Sequence, residues 1–310
     1  MWFKHLHLYR LHDAPAISIS GLEEHLEAQA FRPLGGVEAK RIGWAAPAGR
    51  NSQKLIHQIN GHRLLTALHQ ERILPASVVR EEVEARADRI EYSEGRPLHR
   101  REKQALKEQV YEEFLPRAFV RSWRFDVWWD TTRNLIVVNA SSRTAAESVL
   151  DLLRQTLGSL KVTPLATKTT PTRAMTEWLS NPESRPAWLE VGDQVELKAT
   201  SGDESVVRGR QVDLGGDDIA GCMSAGRQAT RLAITVDEQV SLVLHDDLSL
   251  KSIHFANALL DEASQTDDGD GPVLRLETDF ALMAGALAGV IEHLVDGLGG
   301  EATPAAPTIT

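Results

Sequence analysis

ATRLAITVDEQVSLVLHDDLSLKSIHFA, residues 229–256, contains three short apolar runs divided by acidic breaks. Runs of this length, rich in β-branched residues and separated by two or three polar ones, read as consecutive strands joined by hairpins. Just upstream, QVELKAT (194–200) and SVVRGRQVDL (205–214) repeat the theme. DDIAGCMSAG (217–226) interrupts it with a helical pattern, and FALMAGALAGVIEHLVDGL (280–298) supplies a longer apolar helix. Strands that follow strands, with helices set between groups of them, do not make a regular strand-helix alternation. The expected class is α+β, with mixed or antiparallel sheets, rather than a doubly wound parallel sheet.

The N-terminal half has the same mixed character. WFKHLHLYRL (2–11) reads as a strand, and Leu22, Leu26 and Ala30 mark a short amphipathic helix for which Ser20 and Glu23 have capping-box spacing. Asn60-Gly61 between KLIHQI and HRLLTAL is a tight-hairpin signal. Residues 76–92 and 98–115 carry dense charge at helical spacing on either side of Gly95 and Pro97, with Pro75 fitting a first-turn position. They predict two long, mostly exposed helices that project as an arm or pair with each other. RFDVWWD (124–130) and LIVVNA (135–140) read as strands, and SSRTAAESVLDLLRQTLG (141–158) as a helix capped by Ser141 or Ser142 and stopped at Gly158. KVTPLAT (161–167) is a further short strand. The chain divides into a strand-helix-hairpin part (1–74), the charged helices (75–115), a central sheet and helix (116–170), a C-terminal α+β part (171–300) and a disordered tail (301–310).

At 310 residues, 42% hydrophobic and 25% charged, the sequence has the composition of a soluble protein with about two cores. No uninterrupted apolar run approaches the roughly 18 residues of a membrane span. The start is broken by Lys4, His5, His7 and Arg10, unlike a secretory leader, so a cytoplasmic location is expected. A single cysteine, Cys222, excludes an intramolecular disulfide and a thiolate-rich zinc site, and its apolar helical context reads as a buried thiol. The net charge of -10 argues against a polyanion partner, yet it is unevenly spread. Residues 32–133 carry 19 Lys and Arg against 14 Asp and Glu, whereas 134–310 carry 13 against 26.

No phosphate-binding glycine loop, dinucleotide fingerprint, HExxH or GxSxG is present. His5 and His7 alternate on a strand without an identifiable third metal ligand, and Asp267–Gly271 (DDGDG) lacks the calcium-loop pattern and reads as a solvated turn. No carboxylate pair is singled out as an acid and base, so catalysis, cofactor and metal are not expected. A metal-dependent nuclease assembled from distant acidic residues, and a protein-interaction scaffold, stand as alternatives. The stronger features are basic. In LPRAFVRSWR (115–124), helical spacing would align Arg117, Arg121 and Arg124 on one side. Arg208 and Arg210 alternate on a strand around Gly209, which leaves room for close approach. Each cluster reads either as a solvated face or as a surface for phosphate, whose oxygens suit guanidinium forks.

The order of these blocks resembles a known family. WFKHLHLYRL, IGWAAP (42–47), ERILPASVVREEV, FLPRAFVRSW, LDLLRQTLGSLKVTPL, TEWL, DLSLKSIHF and ETDFALMAGALAGVIEHLVDGLGGEA together look like RdgC, the bacterial recombination-associated family. That resemblance implies an elongated, curved subunit closing at two contacts into a ring-shaped homodimer around double-stranded DNA. It further implies little sequence preference, negative modulation of the RecA recombinase, a nucleoid-associated location, and no catalysis, cofactor or membrane partner. It places Phe119 at a dimer contact and Arg117 on DNA, with Arg121 at the following basic position. Arg208, Arg210 and Gln211 match a second basic segment. Here Gln211 and Val212 stand where the family pattern has a further Lys and Gln.

Overall fold

The computed structural model describes residues 2–302 except 14, 16, 201–204 and 265–270. The acidic run 267–270 and tail residues 303–310 therefore lie outside the described residues. The chain runs β1 (Leu6–Leu11), α1 (Ile19–Ala28), β2 (Lys40–Ala45), β3 (Ile56–Ile59), β4 (His62–Ile73), α2 (Ala76–Glu94), α3 (Arg100–Phe114), β5 (Phe119–Asp130), β6 (Leu135–Asn139) and α4 (Arg143–Leu157). It continues through β7 (Val162–Pro164), α5 (Pro171–Ser180), β8 (Leu189–Ala199), β9 (Val206–Arg210), α6 (Asp217–Ser224), β10 (Arg227–Val236), β11 (Val240–His245), β12 (Leu250–Phe255), α7 (Asn257–Ser264) and α8 (Gly271–Gly297). The strands form one sheet in the order β2-β4-β5-β6-β1-β12-β11-β10-β8-β9, with β3 also on β4 and β7 also on β1. Every pairing between these strands is antiparallel, which makes the protein α+β as expected.

Alternation along the strands sorts the apolar residues into two cores, one per face. On the first face Trp44, Val127, Trp129, Ile136 and Val138 pack with Leu22 and Leu26 of α1 and Ala146, Val149 and Leu153 of α4. The indole of Trp44 satisfies its N–H by donating to Thr156 Oγ1 at 2.7 Å. On the second face Leu64, Trp128, Val137, Leu232, Ile234 and Leu244 meet Met175 and Trp178 of α5 and Phe280, Met283 and Leu287 of α8. Each such side chain, fully buried, contributes about 1.5–3 kcal/mol. The 27 residues of α8 are apolar enough by length and composition to cross a membrane, a property not evident from its uninterrupted runs. Its buried side is part of the second core, which accounts for that composition.

Local signals set the boundaries. Asn60 and Gly61 both take positive φ, 49° and 83°, as a two-residue turn between β3 and β4 requires. Gly158 ends α4 in the left-handed region, and Ser142 caps its start by accepting from the Ala145 N–H at 3.3 Å. For α1 the cap is Ser18 rather than Ser20: Ser18 Oγ accepts from the Gly21 N–H at 3.1 Å, and Ser20 already lies inside the helix. Pro75 is the N-cap of α2, one position before the first turn. Gly43 lets residues 29–31 lie against β2, because a Cβ there would stand 2.7 Å from the Phe31 Cα.

The helices α2 and α3 both project and pair. They link the ends of β4 and β5, which stay in register out to Ile73 opposite Phe119. Val79 and Ala87 of α2 and Leu106 and Val110 of α3 are buried, while Arg86 ties the two helices by bonding Glu82 at 2.7 Å and Glu113 at 2.9 Å. At the other end of the chain Glu301 pairs with Arg10 and bridges to Thr167, so the first residues of the tail are fastened to the body.

Candidate nucleic-acid interface

The LPRAFVRSWR segment is not a helix. Pro116 follows the end of α3, residues Leu115–Arg117 form one 3-10 turn, and β5 begins at Phe119. Strand geometry replaces the expected stripe of Arg117, Arg121 and Arg124 with an alternation that sends Arg121 and Arg124 to opposite faces. Arg121 lies on the first face, its guanidinium 4.7 Å from the centre of the Trp123 ring, and Trp123 stacks on His69. On the second face Arg124 donates to the Pro47 carbonyl at 3.1 Å. Arg117 is exposed on the turn, which is fastened from below by Arg72 donating to the Pro116 carbonyl at 2.9 Å. Beside it Phe119 is 87% exposed and its cross-strand partner Ile73 is partly bare, so the arm's root presents an apolar patch to solvent, while the partly bare Val120 points to the other face.

Arg208 and Arg210 do share a strand face, and it is the first face. In the N-terminal half that face is covered by α1 and α4; across β9, β8, β10 and β11 no helix among the described residues packs on it. Cross-strand pairing sets Glu196 of β8 between Arg208 of β9 and Arg231 of β10, and Val243 of β11 opposite Lys251 of β12. These residues, with Arg210 and His245, line an open depression of about 150 Å³. Four basic side chains and one carboxylate, Glu196, line it. Gly209 does not open a channel, because the Val212 side chain covers its second-face side, where a Cβ would come within 2.7 Å. Gln211 follows β9, exposed and with φ of 55°, outside the strand pairing. Arg121 on β5 and the pair Arg208 and Arg210 on β9 belong to the same face of one sheet but stand seven strand steps apart, roughly 34 Å along the sheet at about 4.8 Å per step.

Arg231 and Lys251 were not singled out in the sequence. Their signal was parity: each is a cation inside an apolar strand at a position out of phase with Leu232, Ile234 and Leu250, which face the core. Lys251 continues the basic surface toward the start of α4, where its Nζ donates to His7 Nε2 at 2.7 Å and lies 3.3 Å from the Ser141 carbonyl. Burial holds the Lys251 ammonium below its usual range. Burial and the Lys251 charge together push His7 down to about 4, so its imidazole is neutral and accepts from the lysine. His5 accepts separately from the Ser252 N–H at 3.3 Å, and among the described residues no group of three or more His, Cys, Asp or Glu has metal-binding geometry.

Glu196 is the hub of the depression. Its Oε2 accepts from Arg208 Nε at 2.7 Å and lies 3.3 Å from Arg231 Nη1, while Oε1 accepts from Thr230 Oγ1 at 3.0 Å. Burial opposes its ionisation, but the Arg208 and Thr230 hydrogen bonds and the Arg231 charge outweigh that and hold it below the usual carboxylate range. The aromatic residues are mostly internal: Trp44, Trp128 and Trp129 are buried, and Trp2 packs against Phe255. Cys222 is half-buried on α6.

Residues 1–301 match the family described as "Putative exonuclease, RdgC". The chain is 39% identical over 302 residues to the recombination-associated protein RdgC of Serratia proteamaculans, covering 97% of this chain and 99% of that one. Proteins of the same name from Yersinia enterocolitica and Yersinia pestis are also 39% identical over the same span. With a family match along nearly its whole length and full-length relatives at this identity, the chain belongs to the RdgC family.

Proposed function

We propose that the protein acts in recombination as a non-sequence-specific binder of double-stranded DNA, encircling the duplex as a homodimeric ring and restraining RecA. The observation that carries this reading is the depression on the first face from β9 to β12, whose lining sets Arg208, Arg210, Arg231 and Lys251 against one carboxylate, Glu196, on an otherwise acidic chain. A sheet face carrying arginines and no stacking aromatics suits phosphate oxygens better than bases. Arg117 and Arg121 extend the contact at the arm's root, and Gln211 adds a neutral donor beside β9. The exposed Phe119 patch is the counterpart for a second copy, and its position at the end of β4 and β5 leaves the basic face free. Such a ring would sit in the cytoplasm on the nucleoid. It needs no cofactor, because binding and topological restraint are the whole activity.

The test is duplex binding over a salt series, on linear and closed-circular DNA, for the parent, Arg117→Ala and Arg208→Ala. Steep salt dependence, a shallower slope for each variant and slower escape from circles than from linear DNA are expected. Salt-insensitive or absent binding refutes the reading. The family description names an exonuclease, so the same DNA is incubated with Mg²⁺ and Mn²⁺; shortening of its ends would replace the binding reading with a nuclease. Phe119→Ser is expected to shift the protein toward monomer in sedimentation, and an unchanged dimer would remove Phe119 from the contact.

A further inference from the structure

The depression on β9, β8 and β10 holds a carboxylate where a phosphate binder would be expected to have none. Glu196 engages two arginines at once and is itself mostly enclosed, with 13% of its side chain exposed against 65% for Arg208 and 48% for Arg231. It uses only part of what they offer. Both Nη groups of Arg208, Nη2 of Arg231 and the whole Arg210 guanidinium have no acceptor among the described residues. Lys251 and His245 close the other side of the same cavity of about 150 Å³.

Resting on the duplex-binding reading, we propose that this depression is a seat for one backbone phosphate and that Glu196 is its built-in counter-ion. In the free protein Glu196 neutralises part of the arginine pair and keeps both side chains extended over the sheet. A phosphate entering from solvent takes the outer guanidinium edges while Glu196 keeps the inner ones, so the anion is held by a shared rather than a full positive charge. The carboxylate therefore weakens the grip at this point. A protein that must travel along a duplex without favouring any position gains from such moderation, because a full-strength clamp would pin it.

The alternative role for the same carboxylate is scaffolding, in which Glu196 orients the arginines and its loss weakens binding. Glu196→Gln separates the two, since glutamine keeps an acceptor for Arg208 and removes the charge. If Glu196 is a counter-ion, Glu196→Gln frees about one more cation for phosphate. The slope of log affinity against log salt then steepens by about 0.9, and 20-base-pair duplex binds about fourfold to eightfold tighter at 0.2–0.1 M salt. Arg231→Gln is the companion variant, expected to weaken binding and flatten the slope while leaving the thermal midpoint near that of the parent. Weaker or unchanged binding by Glu196→Gln, with the parent binding normally, overturns the counter-ion role and leaves duplex binding standing. Unchanged binding by Arg231→Gln overturns the seat itself and serves as the deciding result if Glu196→Gln does not fold. A parent that binds no duplex overturns both the seat and the reading beneath it.

Discussion

Lowering the pH from 7 to 5 should weaken the fold through His7. The imidazole sits on β1 facing Lys251 of β12, Asp247 of the turn before it, Arg143 at the start of α4 and His245 of β11. Burial and the Lys251 charge lower its folded pKa from 6.5 to about 4, with Asp247 opposing. A depressed histidine pKa means that the folded protein prefers the neutral ring. The stabilisation is therefore complete above 6.5 and is lost as pH falls toward 4. Linkage with those two values gives a loss of about 2 kcal/mol between pH 7 and pH 5, and screening at a partly open site trims this to about 1 kcal/mol. His5, His62, His69 and His245 are depressed too, led in each case by burial, so the parent's whole acid sensitivity exceeds this figure. The difference between the parent and His7→Gln isolates the His7 share, since glutamine can still accept from Lys251. Urea unfolding at the two pH values, followed by tryptophan fluorescence, measures it. Equal pH sensitivity in the parent and His7→Gln would refute the assignment.

Asp126 is buried beside Thr66, whose Oγ1 donates to it at 2.7 Å, and burial raises its pKa against that hydrogen bond and the Arg124 charge. A carboxyl raised in the folded state costs stability when ionised, so Asp126→Asn should raise the thermal midpoint at pH 7, and the gain should fade as pH drops through the carboxyl's folded value. Gly43→Ala would place a methyl group against the Phe31 backbone and should cost about 1–3 kcal/mol in chemical denaturation. A cost below about 0.5 kcal/mol would show that residues 29–31 can move aside.

Much of the architecture was legible where one physical signal dominated. The hairpin at Asn60-Gly61, the stop at Gly158, the charged arm and the C-terminal strands all follow from turn chemistry, left-handed glycine or clean alternation. The segment after Pro116 was not, because three arginines at intervals of four and three imitate a helical face. The competing signal, Trp123, Phe125, Val127 and Trp129 at intervals of two, runs on into RFDVWWD and extends the strand back to Phe119. The site was legible only in part. Arg208 and Arg210 stand out within five residues, but Arg231 and Lys251 join them through strand pairing across β8, β10, β11 and β12. Nothing local in the sequence says that Glu196 lies between two arginines contributed from 12 and 35 residues downstream.

The central place of β1 has a consequence for synthesis. One of its edges is met by β6 and the other by β7 and then β12, whose Leu250 pairs with Leu6. When α4 and β7 have left the ribosome, the first core already has all its parts, yet the Leu6 end of β1 still shows an unpaired edge. Its partner is about 240 residues away from it in the chain, and at 5–20 residues per second the last part of that wait, from β7 to β12, takes roughly 4–17 seconds. During that time the nascent chain carries an open seam that any other strand could fill. Chains cut short after β7 should therefore stick to one another, and the C-terminal half acts, among its other roles, as the closure of an edge that β1 leaves open.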